Sequence, residues 1–302
     1  MKQKLLITGA SGFLGHALCP LLALQYDLVG TYFRNLPDQK EVEWIRVNLL
    51  ETNKIAALVQ QQQPAAILHL AAISNTTFCE QHPALSHHIN VYTTVALAEA
   101  AASLHIPLLY PSTDLVFNGH SAPYTEEDFA YPISQYGQQK QTAEELLLSD
   151  FEQTMVLRLP LLFGKGPAYT TNFFQKSLAQ LQAGEAVVAF TDEIRSMIST
   201  TAASQGIVQA LAYALRENPN RTAKEQLFHL GGPQACSRYE FMIEVAQELG
   251  VSTSLIEPRL QETAPYAHTR PANVALESQL AQEVLDFSPP SLATQLQQIL
   301  QE

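Results

Sequence analysis

A tyrosine and a lysine stand four residues apart in the segment SQYGQQK, at Tyr136 and Lys140. On a helix, side chains at this spacing lie one above the other, and the same face continues through Ala143 and Leu147, which predicts that it turns inward. An inward-facing lysine is costly to bury, but its charge lowers the pKa of a neighbouring phenol from about 10 toward neutrality. Such a phenol can protonate a carbonyl oxygen while hydride arrives from a nicotinamide. The alternative is that the two residues only happen to share one helix.

Two hydroxyl groups, Ser112 and Thr113, end the apolar run PLLYPST (107–113). If this run is a strand of a parallel sheet, both hydroxyls lie at the carboxyl edge, where open α/β proteins bind ligands. A hydroxyl at that edge can donate a hydrogen bond to the same carbonyl oxygen. The alternative is that the two side chains cap a turn.

The segment TGASGFLG (8–15) contains Gly9, Gly12 and Gly15 in a GxxGxxG pattern between an apolar run and a helix-length segment. Glycines let the backbone turn tightly and approach a pyrophosphate, whose charge is stabilised by free N–H groups at the start of a helix. Close packing of strand on helix is the other explanation for such glycines. At the first strand of an alternating chain, the pattern favours a dinucleotide site.

The residues after the second apolar run, DLVGTYF (27–33), indicate which dinucleotide is preferred. An acidic residue here binds the ribose 2′-hydroxyl of NAD, whereas an arginine accommodates the 2′-phosphate of NADP. The sequence has Arg34 and Asn35 and no carboxylate. NADP(H) is therefore the expected cofactor, with NAD(H) still open, unless Arg34 is only a solvated loop residue.

Strand-like and helix-like segments alternate through the first half of the chain, which predicts a doubly wound parallel sheet of the Rossmann α/β type over residues 1–163. The predicted strands are 4–8, 27–33, 43–47, 65–72, 107–113 and 155–160, and the predicted helices are 13–25, 53–62, 83–104 and 134–149. After residue 163 the alternation stops, and residues 164–302 are expected to form a smaller α+β substrate lobe with helices at 200–217, 238–249, 276–286 and 291–301. The helix at 200–217 is expected to pack back on the first sheet.

Composition narrows the choice of partners and compartment. The net charge of −12, with 46% hydrophobic and 15% charged residues, describes a packed globular protein without a basic stripe, so nucleic acid and membrane are not expected partners. Three distant cysteines predict no disulfide framework and suit a reducing cytoplasm. His82, His87 and His88 are expected on a solvated helix face, and no metal site is predicted. No signal peptide or apolar span is visible.

With these motifs in place, the chain resembles the extended short-chain dehydrogenases/reductases, and among them most closely the dTDP-4-dehydrorhamnose reductases. The resemblance covers nearly the whole chain. It is carried by TGASGFLG (8–15), HLAA (69–72), STDLVFNG (112–119), PYTEEDFAYPISQYGQQK (123–140) and RPANVAL (270–276).

The resemblance implies an NADPH-dependent reductase of a keto group on a nucleotide-activated sugar. It implies that Thr113 orients the carbonyl, that Tyr136 is the general acid, and that Lys140 tunes Tyr136 and binds the nicotinamide ribose. Ser112 and Thr113 would contact the substrate, with Arg195 and Arg270 near its diphosphate, unless these arginines form ion pairs at the surface or between the lobes. The implied cofactor ligands, besides Tyr136 and Lys140, are Gly9, Ser11, Gly12, Phe13, Leu14, Gly15, Arg34, Asn48, Leu49, Leu70, Ala71 and Ala72.

The chain departs from the family pattern in places. ISNTTFCE (73–80) replaces a usual Tyr-Thr-x-Val-Asp pattern, Asn48 stands where an aspartate is usual, and Leu115 stands where related dehydratases carry an acidic residue.

The chain also resembles the regulatory beta subunit of methionine adenosyltransferase, in which this fold serves a protein complex. The intact tyrosine and lysine favour the enzyme, and a homodimer through helices 83–104 and 134–149 is implied by resemblance alone.

Overall fold

The computed structural model describes residues 2–216, 222–263 and 266–301. The strands are β1 (Lys4–Thr8), β2 (Asp27–Tyr32), β3 (Val42–Arg46), β4 (Ala66–His69), β5 (Leu108–Thr113), β6 (Thr154–Leu159), β7 (Leu162–Phe163), β8 (Val187–Phe190), β9 (Ile194–Arg195), β10 (Ile198–Ser199), β11 (Leu227–His229), β12 (Cys236–Ser237) and β13 (Ile256–Arg259). The α-helices are α1 (Phe13–Ala23), α2 (Asn53–Gln62), α3 (Thr76–Gln81), α4 (Pro83–His87), α5 (Thr93–Ser103), α6 (Gln135–Asp150), α7 (Phe173–Gln182), α8 (Thr200–Ala214), α9 (Arg238–Glu248), α10 (Gln279–Leu285) and α11 (Leu292–Gln301).

The large sheet has the strand order β11-β6-β5-β4-β1-β2-β3 within the described residues, and every neighbouring pair is parallel. The central strands β4 and β6 are buried at every position, because helices cover both faces of the sheet. One face packs against α1, α8 and α10, and the other packs against α2, α5 and α6. The predicted doubly wound Rossmann fold is confirmed.

The strand bounds agree with the predicted ones to within one residue except at the fourth strand. This strand was predicted to run to residue 72, but β4 ends at His69, opposite Thr8 at the end of β1. Leu70 to Ala72 leave the sheet, since their pairing partner turns away into the glycine loop. The predicted helix 83–104 is α4 and α5 joined by a π-helical turn at His88–Tyr92, a feature often found near functional sites.

The second half of the chain builds a separate apolar core from α7, α9 and α11 and from short strand pairs. These pairs are β7 with β10, β8 with β13, and β9 with β12. β11, however, joins the large sheet beside β6, and α8 packs on α1. After residue 163 the chain thus returns to the first sheet with α8, β11 and α10, and the boundary at that residue stays a prediction. The predicted end of α8, residue 217, lies outside the described residues.

A membrane-spanning helix was not expected from the sequence. Across the parts of the chain that the structure describes, no helix combines the length and the apolar character needed to cross a bilayer.

The helix that carries Tyr136 and Lys140 is tied to the sheet by a buried ion pair. Glu144 on α6 accepts hydrogen bonds from Arg158 on β6, at 3.1 Å from Nε to Oε2 and 2.7 Å from Nη2 to Oε2. Both side chains are almost completely buried, and the guanidinium lies 5.0 Å from the ring centroid of Phe117. This two-pronged contact fixes the position of α6 along the strands.

We expect Arg158→Met to lower the free energy of unfolding by about 3–5 kcal/mol, because it leaves the Glu144 carboxylate buried without its cation. The matched control is Lys224→Met, which breaks the exposed pair with Glu127 at 2.6 Å and should leave the free energy of unfolding close to the wild-type value, since water screens this pair. Urea unfolding of both variants measures the difference. Equal losses would show that the buried pair does not anchor α6.

Candidate active site

A cleft of about 900 Å³ opens at the carboxyl ends of β1, β4 and β5, where parallel sheets bind ligands. Residues from both halves of the chain form its wall. Of the predicted site residues, the wall includes Gly12, Phe13, Leu14, Leu70, Ala72, Ser112, Thr113, Tyr136, Lys140, Arg195 and Arg270.

The glycine loop has the shape that a pyrophosphate requires. Gly9 has a φ of 70°, and a Cβ on it would lie 2.5 Å from the backbone nitrogen of Ala71, so only glycine fits where β1 passes the end of β4. Gly12 is the N-cap of α1, where the structure shows neither a side-chain cap nor an acidic residue in the first turn. The first N–H groups of α1 are therefore available to an anion, and the loop fits a dinucleotide.

Two other residues of the glycine loop, Ser11 and Gly15, help to fix the conformation of the loop. Gly15 packs against the backbone of Ala10, which leaves no space for a Cβ. The backbone carbonyl of Ser11 accepts a hydrogen bond of 3.0 Å from the hydroxyl of Tyr169, which belongs to the second half of the chain. The loop is thus held from outside as well as by its own turn.

Arg34, Asn48 and Leu49 lie outside the cleft wall. Arg34 is exposed beyond the end of β2, with its guanidinium 5.9 Å from the ring centroid of Phe33. Asn48 accepts a hydrogen bond from its own loop, and the Leu49 carbonyl accepts one from Thr93. Their roles as cofactor ligands stay predictions.

The structure brings Tyr136, Lys140 and Thr113 together on the cleft wall. The α6 helix begins at the N-cap Ser134, whose hydroxyl accepts a hydrogen bond of 3.0 Å from the Gly137 nitrogen. Its first turn then points Tyr136 inward, and Lys140 follows one turn later; 8% of the tyrosine and 2% of the lysine are exposed. The predicted inward face is therefore present, since both residues are buried beside the end of β5.

Lys140 is held at two points on β5. Its ammonium donates a hydrogen bond of 2.7 Å to the carbonyl oxygen of Pro111 and lies 3.7 Å from the ring centroid of Tyr110. Burial lowers the pKa of Lys140 to about 7, and the nearby charge of Glu144 opposes this change. The amine is thus close to its titration midpoint at neutral pH.

The sequence predicts that Lys140 lowers the pKa of Tyr136, and the structure differs. Burial raises the pKa of Tyr136 above its ordinary value, the charges of Cys79 and Asp114 raise it further, and a hydrogen bond with Thr113 acts in the opposite direction. The lysine ammonium is directed at Tyr110 and Pro111 instead. The phenol consequently stays protonated at neutral pH.

A buried charge network forms the floor of the cleft. The Thr113 hydroxyl donates to Asp114 at 3.2 Å, and Asp114 faces the guanidinium of Arg195 at 3.5 Å. Arg195 also donates to the carbonyls of Ile194, Pro271 and Ala272 at 2.7–3.1 Å. Most N–H groups of Arg195 are therefore already used inside the protein. The Ser112 hydroxyl is buried and has no hydrogen-bond partner among the described residues.

The sequence analysis missed four charged residues of the cleft wall, which are Asp114, Lys176, Glu193 and Arg238. Arg238 lies 2.9 Å from Glu193 and 4.6 Å from the ring centroid of Phe173. It follows Ser237, which forms a capping box with Glu240 at the start of α9. That S-x-x-E pattern signals where the helix begins, but only the packing of α9 directs Arg238 into the cleft.

Comparisons with known proteins agree with this architecture. Residues 3–302 match the family model described as the RmlD substrate binding domain. The methionine adenosyltransferase 2 subunit beta of Bos taurus is 28% identical over 280 residues, covering 91% of this chain and 80% of that protein. The dTDP-4-dehydrorhamnose reductase of Aggregatibacter actinomycetemcomitans is 26% identical over 294 residues, covering 95% and 94%.

The same fold is found in a solved structure. A crystal structure of dTDP-4-dehydrorhamnose reductase from Bacillus anthracis in complex with NADP superposes with a TM-score of 0.84 at 24% identity, covering 99% of both chains. At this identity the likeness concerns the fold.

The buried carboxyl of Asp114 should make stability depend on pH. Burial raises its pKa to about 6, and Arg195 opposes the change, so the folded protein takes up this proton well before the unfolded chain does. As pH falls from 7 to 4, the wild type should gain up to about 3 kcal/mol relative to Asp114→Asn. Urea unfolding across this range measures the difference, and parallel pH profiles would contradict the assignment.

Proposed function

This chain belongs to the RmlD substrate binding domain family, and on that premise we propose that it is an NADPH-dependent reductase of a keto group on a nucleotide-activated sugar. The observation that carries the proposal is the convergence of Thr113, Tyr136 and Lys140 on the cleft that the glycine loop also reaches. Relatives named dTDP-4-dehydrorhamnose reductase support the class of substrate. The presence of NADP in a structure of the same fold supports the cofactor.

The proposed cofactor site uses the backbone more than side chains. Gly9 and Gly12 leave space for the pyrophosphate at the start of α1, and Arg34 would meet the 2′-phosphate at the end of β2. Leu70 and Ala72 form the neighbouring wall. Bound NADPH would supply the hydride.

The side chains of the cleft would manage the proton and the carbonyl oxygen. Tyr136 carries its phenol proton at neutral pH, since the ordinary pKa of a phenol is about 10 and burial raises it further. It would donate that proton as negative charge develops on the keto oxygen. The Ser112 hydroxyl can donate to the same oxygen. Thr113 can do so once its hydroxyl turns away from Asp114. Lys140 would supply a positive charge to the nicotinamide ribose.

The diphosphate of the substrate needs positive charge at the outer part of the cleft. Arg238, Arg270 and Lys176 line that wall, and Arg238 and Arg270 are close enough to influence each other electrostatically. Because Arg195 already binds three carbonyls and faces Asp114, we assign it to holding the floor. The contact with phosphate is assigned to the other cations.

A second candidate function is that of a non-catalytic, NADP-binding regulatory subunit. It is favoured by the 28% identity to the methionine adenosyltransferase 2 subunit beta, which is similar to the identity found with the reductase. In that case the dinucleotide site would support a protein complex, and the phenol of Tyr136 would have no chemical role.

Tyr136→Phe distinguishes the two functions. It removes only a hydroxyl, so the fold and NADPH affinity should persist while reduction of a nucleotide 4-keto sugar falls by about 10²–10⁴-fold. Lys140→Met should weaken NADPH binding as well as turnover. Steady-state rates and calorimetric titration with NADPH provide both measurements.

The matched control for this experiment is Tyr131→Phe, because Tyr131 is 71% exposed. This variant should retain the wild-type rate. Near-wild-type turnover by Tyr136→Phe would reject the catalytic assignment, and absence of turnover before any mutation would favour the regulatory function.

Arg34 should determine the choice of cofactor. We expect NADPH to bind more tightly than NADH, and Arg34→Ala to remove about 1.5–3 kcal/mol of NADPH binding, since it deletes a charge-assisted contact. NADH affinity should not change. The control is Lys40→Ala, an exposed cation nearby in the sequence. Equal calorimetric affinities of the wild type for the two cofactors would contradict this prediction.

A further inference from the structure

The aromatic ring of Tyr110 lies directly against the ammonium group of Lys140. The Lys140 nitrogen is 3.7 Å from the ring centroid, well inside the range of a cation–π contact. Only 2% of the lysine is exposed. Of the three N–H groups of the ammonium, one donates to the Pro111 carbonyl at 2.7 Å. The ring is therefore a principal partner of a charge that has lost nearly all of its water.

Tyr110 is held rigidly in this position. It lies on β5, between β4 and β6 in the sheet, and is 1% exposed. Its ring also stacks on the imidazole of His69 at 5.8 Å between centroids and 24° between planes. His69 in turn is hydrogen-bonded to the hydroxyls of Thr8, at 2.6 Å, and Thr94, at 3.0 Å. The stack connects Lys140 to the residue that precedes the glycine loop.

The imidazole of His69, which stacks on Tyr110, carries no charge at neutral pH. Burial lowers the pKa of His69 to about 3, with a further contribution from the positive charge of Lys140. A neutral ring at this position does not repel the ammonium through the stack. The Lys140 ammonium can therefore interact with the electron-rich face of the Tyr110 ring without repulsion from a second positive charge.

The other ionisable groups near Lys140 do not replace this partner. On its own helix, Tyr136 is neutral and Glu144 raises the lysine pKa, but Glu144 is itself bound by Arg158 from β6. From β4 the lysine faces His69, and from β5 it faces Tyr110. The Asp114 and Cys79 groups act on Tyr136.

We propose that Tyr110 is a positioning residue: its ring holds the charged Lys140 ammonium at the end of β5, in a site nearly free of water. The contact itself is independent of any reaction. Its importance for cofactor binding rests on the proposed function. We expect the strength of this contact to depend on the electron density of the Tyr110 ring, and not only on the shape of the ring.

The test replaces Tyr110 by Phe and then by phenylalanines with one and with three ring fluorines at the same position. Fluorine withdraws electron density from the ring face while the shape of the ring is nearly kept. The full-length protein is labelled with ¹³C-lysine, and the Lys140 resonance is assigned from Lys140→Arg. Titration by ¹H–¹³C spectroscopy then gives the protonation midpoint of Lys140 in each protein.

Tyr110→Phe should keep the wild-type midpoint, and the trifluorinated ring should lower it by about one pH unit. NADPH affinity, measured by fluorescence, should then be about tenfold weaker than in the Phe variant at pH 8 and equal at pH 5.5. If Lys140 has the same protonation midpoint in all of the ring variants, the proposal is overturned, because packing alone would then explain the contact. A lowered midpoint with unchanged NADPH affinity at pH 8 would overturn the positioning role.

Failure of the proposed function gives a different result. If the wild type binds no NADPH at any pH, while the midpoint still falls with fluorination, the ring is confirmed as the partner of Lys140 and the reductase assignment is lost. If NADPH binds and the midpoint does not move, the reductase assignment survives and Tyr110 is only a packing residue.

Discussion

The parallel arrangement of the large sheet determines where chemistry is possible in this molecule. Since β1, β4 and β5 run parallel to one another, their carboxyl ends all lie at one edge of the sheet. The glycine loop follows the end of β1, the segment 70–72 follows the end of β4, and Ser112 and Thr113 are the last two residues of β5. Elsewhere the sheet is covered on both faces by apolar side chains, so the edge is where polar groups of several strands can meet one ligand.

Three buried cations then define the structure around this edge, and each is compensated differently. Arg158 has a carboxylate on α6, at Glu144. Arg195 has three carbonyls and faces Asp114. Lys140 has one carbonyl and an aromatic ring. Unpaired charges at such depth would be strongly destabilising, so these partners fix α6, the floor of the cleft and the end of β5 relative to one another. The fixed geometry of the cleft is therefore a consequence of burying these three cations with their partners.

The second half of the chain completes the cleft instead of only covering it. Arg195 reaches the end of β5 through Asp114, and Tyr169 binds the glycine loop at Ser11. Arg238 contributes a further positive charge to the wall. A ligand in the cleft would therefore touch both halves, which suits a long substrate with a sugar at one end and a diphosphate at the other. The contacts between the two halves would also let a bound dinucleotide stabilise their arrangement.

The sequence by itself determined the features that depend on local pattern. Short apolar runs located β1, β2, β3, β5 and β6 to within one residue, and the glycine spacing located the turn into α1. The four-residue spacing of Tyr136 and Lys140 placed both on one buried face. These signals are carried by neighbouring residues, because strand and helix periodicity and the backbone freedom of glycine act over a few positions.

The tertiary structure decided what depends on contacts between distant segments. The pairing of β11 with β6 follows from a three-residue strand with no periodicity to reveal it. Arg195 meets Asp114, 81 positions earlier in the sequence, and Arg238 is directed into the cleft by the packing of α9. The raised pKa of Tyr136 could not be read from the helix spacing, since it arises from burial, and the ring that receives the Lys140 ammonium belongs to another strand. Charge and desolvation act through space, so only the folded chain fixes them.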